Sequence, residues 1–157
     1  MNSDVGPMRD LDTLTDLRLD CNGPDELETV AARVIAFAGE SMIWLLEGEM
    51  GAGKTTLARA IGRQLGVTGP VQSPTYSLVN EYVTSDQRTV YHFDFYRIKD
   101  ETEAMDMGVE EYFDSGNLCL VEWPVRIASL LPAQRVTIRI VAENHSRRVL
   151  YLSKHGQ

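Results

Sequence analysis

Residues 48–55 read Gly-Glu-Met-Gly-Ala-Gly-Lys-Thr. Gly48, Gly53, Lys54 and Thr55 fill the fixed positions of the phosphate-binding pattern G-x-x-x-x-G-K-[ST]. Each position has a physical task. Glycine carries no Cβ, so the backbone can turn tightly and present its N–H groups to an anion. Lys54 brings a point charge within reach of outer phosphates, and the Thr55 hydroxyl suits Mg2+. A helix starting here points the positive end of its dipole at the same place. The stretch Glu49, Met50, Gly51, Ala52, Gly53, Lys54, Thr55 and Thr56 is therefore the candidate nucleotide cradle.

The flanks give the pattern its context. Met42-Ile43-Trp44-Leu45-Leu46 is a short, continuous apolar run, as expected of a strand buried on both faces. Leu57, Ile61 and Leu65 then recur at helical spacing, and Gly66 is a natural stop. Upstream, Thr15 to Asp20 reads as an opening strand. Asn22-Gly23-Pro24-Asp25-Glu26 reads as a helix start, and Leu27, Val30, Ala31, Val34 and Ile35 form one apolar stripe before Gly39. Ser77 to Tyr82 and Val90 to Arg97 read as strands around a turn at Ser85-Asp86-Gln87-Arg88. Leu118 to Val121 is a second continuous apolar run. Val136 to Val141 and Arg148 to Leu152 alternate as a hairpin around Asn144. A chain of 157 residues suggests a single domain over 1–157, with 1–12 a loose tail. The expected architecture is α/β: a P-loop NTPase three-layer sandwich with a mixed, mainly parallel sheet and a C-terminal antiparallel hairpin.

A site of this kind needs a carboxylate near its metal, because Mg2+ prefers hard oxygen ligands. In doubly wound sheets, ligands sit beyond the C-terminal ends of parallel strands. Glu122 ends the second apolar run and is the candidate metal acid opposite Thr55. Asp94 is the second acid. On a strand, Tyr91, Phe93 and Phe95 take one face, while His92, Asp94 and Tyr96 take the other. Asp94 then holds a metal-bound water or orients the attacking one, unless its strand is a solvated edge. Ser73-Pro74-Thr75-Tyr76 is either a switch-like loop, in which Thr75 meets an outer phosphate or the metal, or a plain turn. Trp123 is either packing or part of a lid.

The net charge of -8 argues against unaided binding to nucleic acid or to an anionic membrane. Cys21 and Cys119 have no metal-like spacing and suggest a reducing compartment. Neither a basic-then-apolar leader nor a membrane-length run is evident, so the cytoplasm is the expected location. Asp100 to Asp114 is rich in acids and free of basic residues. It reads as a helical segment whose acids form either a solvated face or a docking surface for a basic partner.

Taken together, several stretches resemble the TsaE (YjeE) family of tRNA threonylcarbamoyladenosine biosynthesis. They are Leu46 to Thr56, Ser73-Pro74-Thr75-Tyr76, Tyr91-His92-Phe93-Asp94-Phe95-Tyr96-Arg97, Met107-Gly108 with Glu111-Tyr112-Phe113, and Leu120-Val121-Glu122-Trp123-Pro124. The likeness covers roughly 24–132. It implies a small Mg2+-dependent ATPase that works with TsaB and TsaD and meets tRNA only through them. It assigns Lys54 to the phosphates and Thr55 and Glu122 to Mg2+. Asp94, Thr75 and Trp123 support hydrolysis, and an arginine near the hairpin, here Arg147, approaches the nucleotide. The chain departs from the family at Glu49-Met50, commonly Asp-Leu, and at Leu27, often a hydroxyl residue. Two other classes share the phosphate loop: small-molecule kinases and guanine-nucleotide switches. The first calls for an arginine-bearing lid that does not stand out here. The second calls for an Asn-Lys-x-Asp sequence, which the chain lacks.

Overall fold

The computed structural model describes residues 15–69 and 78–156. The expected tail at 1–12 and the loop carrying Thr75 lie outside the described residues. In chain order the strands are β1 (Leu17–Cys21), β2 (Ile43–Glu47), β3 (Val79–Val83) and β4 (Thr89–Asp94), followed by β5 (Leu118–Glu122), β6 (Arg135–Ala142) and β7 (Arg148–His155). The α-helices are α1 (Leu27–Ala38), α2 (Lys54–Gln64), α3 (Glu101–Asp106) and α4 (Val109–Phe113). Short 3-10 segments cover Pro24–Glu26 and Pro124–Leu130.

Among the described residues, the seven strands form one sheet in the order β1-β7-β6-β2-β5-β4-β3. β6, β2, β5 and β4 run parallel through the centre, and antiparallel strands flank them on both sides. The two continuous apolar runs become β2 and β5, side by side in the middle. Alternation divides their side chains between two cores. Trp44, Leu46, Leu118 and Leu120 meet Val30, Val34, Leu57 and Ile61 of α1 and α2. Ile43, Leu45, Cys119 and Val121 meet Phe93, Phe95, Val109 and Phe113 on the other face. Fully burying one such aliphatic or aromatic side chain contributes about 1.5–3 kcal/mol, so strands covered on both faces hold the sheet together. The three-layer, centrally parallel architecture agrees with the sequence reading, as does the C-terminal hairpin, to which β1 adds a further antiparallel strand.

Three readings change in detail. The opening strand lies slightly later than expected, at Leu17–Cys21. The acidic segment is two short helices, broken at Gly108 with φ 81°, and it buries Ala104, Val109 and Phe113 beneath its acids. β4 is not an edge strand: it lies between β5 and β3, and His92 within it is 0% exposed. Among the described residues no helix is long and apolar enough to cross a membrane.

Candidate functional site

The parallel register brings the site together. Leu46 on β2 and Asp94 on β4 both pair with Glu122 on β5, so three strands end at one level. From β2 the chain turns into the glycine loop. A Cβ on Gly48 would lie 2.8 Å from the Ile140 carbonyl oxygen of β6, so only glycine lets the loop lie this close to the sheet. Gly53, with φ 113°, then reverses the backbone into α2 without any side-chain cap. The first N–H groups of a helix have no intrahelical partner, and here they face the loop.

Lys54 is 5% exposed. Its Nζ donates to the carbonyls of Gly48 at 2.6 Å and Glu49 at 3.0 Å, and lies 4.2 Å from the centre of the Trp123 ring. Burial lowers its pKa, and the charges of Glu122 and Asp94 offset part of that shift. Trp123 adopts the left-handed conformation, φ 59° and ψ 50°, directly before Pro124. That bend carries its ring off the end of β5, between Lys54 and Tyr96, whose ring centre is 4.9 Å away. Trp123 is therefore partly buried, packing against the core on one side and covering the loop on the other.

Thr55, one residue into α2, donates its hydroxyl to Glu122, with Oε2 at 3.0 Å and Oε1 at 3.2 Å. Glu122 is itself 3% exposed. Asp94 Oδ1 accepts from the Tyr96 N–H at 3.0 Å. Burial raises the Asp94 pKa, and the nearby Glu122 charge adds to the rise. Lys54, Thr55, Asp94, Glu122 and Trp123 line one cleft of about 260 Å3, together with Met50, Gly51, Gly53 and Thr56. Across Gly51, Gly53 and Thr56 a second cleft of about 320 Å3 continues between Leu27, Ile140, Leu150 and Arg148. Glu49 and Ala52 lie within the loop; Ala52 is buried, and Glu49 stands at its exposed tip.

Arg147 is turned away. It donates to Asp20 at 3.3 Å and lies 3.8 Å from Glu143. The arginine at the loop is Arg148, whose Nε donates to the Ala52 carbonyl at 2.8 Å and whose Nη1 holds the Asn144 carbonyl at 3.0 Å. Strand alternation carried this signal, since Arg148 shares a face of β7 with Leu150 and Leu152, the face that packs toward the helices. His92 reaches the same acid as Thr55. Its Nε2 is 2.7 Å from Glu122 Oε2.

A phosphate loop after the central strand, an uncapped helix behind it, and a hydroxyl and two carboxylates at the ends of the parallel strands define a P-loop α/β protein. Within that class, the family model "Threonylcarbamoyl adenosine biosynthesis protein TsaE" matches residues 21–150. The chain belongs to the TsaE family. It is 38% identical to the tRNA threonylcarbamoyladenosine biosynthesis protein TsaE of Bacillus subtilis (strain 168), over 85% of this chain and 82% of that protein. It is 33% identical to the protein of the same name from Treponema pallidum (strain Nichols), over 74% of this chain and 84% of that one. Among solved structures it is similar to Bacillus subtilis YdiB, with a TM-score of 0.72 and 32% identity, covering 89% of this chain and 86% of that one.

Proposed function

We propose that this chain binds ATP with Mg2+ and hydrolyses it as the ATPase component of tRNA threonylcarbamoyladenosine biosynthesis, acting with TsaB and TsaD. The role in the names of its relatives supports the pathway. One observation carries the chemistry: the Thr55 hydroxyl and the Glu122 carboxylate meet at 3.0 Å inside a cleft shared with Lys54 and Asp94. The donor set fits Mg2+, since both groups offer hard oxygen. Among the described residues no group of three His, Cys, Asp or Glu side chains is poised to hold a metal by itself. A hydroxyl and one carboxylate leave the remaining positions to water and phosphate oxygens, as nucleotide sites do. Mg2+ held there would neutralise charge developing on the transferred phosphoryl group.

The protein's own groups have distinct tasks in this reading. Lys54 and the N–H groups of the loop bind the phosphates, and Arg148 steadies the loop from behind through Ala52. Asp94 orients the attacking water. Its raised pKa suits a proton acceptor, since a carboxylate that is penalised for its charge takes up a proton more readily. The apolar second cleft receives the nucleoside. Trp123 and Tyr96 cover the reacting end and limit the entry of bulk water.

Calorimetric titration with ATP, ADP and GTP, in Mg2+ and in EDTA, tests the assignment. Adenine nucleotides are expected to bind, ATP more tightly with Mg2+, and GTP to bind poorly. Glu122→Gln is expected to weaken Mg2+-dependent binding and hydrolysis together. Nucleotide binding indifferent to both Mg2+ and Glu122 would remove the metal assignment.

A further inference from the structure

The acid opposite Thr55 is gripped from behind by a residue that does not line the cleft. His92 is 0% exposed in the middle of the sheet, on the strand next to β5. Its Nε2 lies 2.7 Å from Glu122 Oε2, closer than the Thr55 hydroxyl at 3.0 Å. An ionised carboxylate only accepts hydrogen bonds, so the ring nitrogen facing it is the one that bears a proton. The placement is unusual for its surroundings. Val90, one step earlier on the same face, joins the apolar core with Leu118 and Leu120 of the neighbouring strand. At this level of the sheet the core admits an imidazole instead, and that imidazole ends on Glu122.

We propose that His92 is a positioning residue that fixes the Glu122 carboxylate for the metal. The proposal rests on the reading that Glu122 serves Mg2+. Thr55 offers a single hydroxyl proton to two carboxylate oxygens within reach, so it does not fix the plane of the carboxylate by itself. His92 gives Oε2 a second donor that solvent does not reach. A glutamate has three side-chain torsions, and tying one oxygen to a buried ring leaves the other oriented toward the cleft. Buried hydrogen-bond partners of metal ligands typically contribute ten- to a hundredfold in metal affinity. His92 has no part in binding the nucleotide itself, because it lies behind β5's terminal acid and away from the phosphate loop.

The test is the Mg2+ requirement for ATP binding, measured by calorimetry on the full chain across a Mg2+ series and in EDTA. His92→Phe fills the space without a donor. It is expected to bind ATP as the parent does in EDTA, and to need roughly tenfold more Mg2+ for half-saturation. His92→Gln, whose amide nitrogen reaches the position of Nε2, is expected to restore the requirement to within a few-fold of the parent. His92→Asn, polar but too short to reach Glu122, is expected to behave like His92→Phe and carries the comparison if the phenyl ring does not fit. In a Glu122→Gln background, His92→Phe is expected to add nothing. An unchanged Mg2+ requirement in His92→Phe or His92→Asn, beside a raised one in Glu122→Gln, overturns the positioning role and leaves the Glu122 assignment standing. An unchanged requirement in Glu122→Gln removes that assignment and the proposal with it. Equal weakening by His92→Phe with and without Mg2+ marks His92 as purely structural.

Discussion

Lys54 spends its charge on its own loop: two carbonyls and an indole ring surround an ammonium that solvent barely reaches. Those contacts hold Nζ at the mouth of the cleft and reduce the ordering that phosphate binding would otherwise require. A hydrogen bond to a charged group contributes about 1.5–3 kcal/mol, so Lys54→Ala is expected to weaken nucleotide affinity roughly ten- to a hundredfold by calorimetry. Asp94 tells the opposite story of burial. Its raised pKa means that the folded chain penalises the carboxylate relative to the unfolded chain. Between the ordinary aspartate value and the raised one, the folded state holds the proton more often, so stability falls as pH rises through that window. Asp94→Asn keeps an oxygen for the Tyr96 N–H and removes the charge. It is expected to slow hydrolysis while sparing ATP binding, and to raise the Tm at neutral pH. The gain is expected to shrink toward acid pH, below the ordinary aspartate range, where both versions are neutral. Melting curves at the two pH extremes, with turnover assays beside them, check both halves.

At the scale of elements, the loop between β2 and α2 is bounded by β6 as much as by its own sequence. Gly48→Ala would drive a methyl into the Ile140 carbonyl at 2.8 Å and the Ala52 Cβ at 3.2 Å. Overpacking of this kind costs about 1–3 kcal/mol, which at this chain length lowers the Tm by roughly 2–12 °C. Nucleotide affinity is expected to fall with it, and thermal melts with calorimetry measure the two together. The loop, its helix and both central strands were legible in the sequence because local signals agreed: unbroken apolar runs, helical spacing and glycine stops. Glu122 and Asp94 were legible for a related reason, since strand ends in a parallel sheet are where ligands gather. What lay beyond reach was pairing. Nothing within β4 says that His92 faces a glutamate some thirty residues later; only the register between β4 and β5 does. The choice between Arg147 and Arg148 turned on which face of β7 packs toward the helices, and the alternation of Arg148 with Leu150 and Leu152 held that answer.

For the molecule as a whole, a net charge of -8 disfavours direct contact with tRNA, so the hydrolysis proposed above calls for partners that supply that surface. The isolated chain is therefore expected to hydrolyse ATP slowly and to be stimulated when TsaB and TsaD are both present. Fast turnover alone on a small phosphate acceptor would favour a kinase instead. The exposed acids of α4 offer a separate check on docking. Glu110→Lys with Glu111→Lys is expected to weaken assembly most at low salt, where screening is least. Glu103 is left intact, because its carboxylate accepts from the Lys99 N–H at 3.1 Å and shapes the start of α3. The strand order has a further consequence, for the birth of the protein. β2, which launches the phosphate loop, is seated between β5 and β6, each made long after it. Pairings so distant along the chain form slowly. During synthesis the loop must emerge and wait without its neighbours, because Gly48 has no Ile140 to rest against until β6 has left the ribosome. Nucleotide bound as proposed would therefore find its cradle complete only once β6 has joined β2.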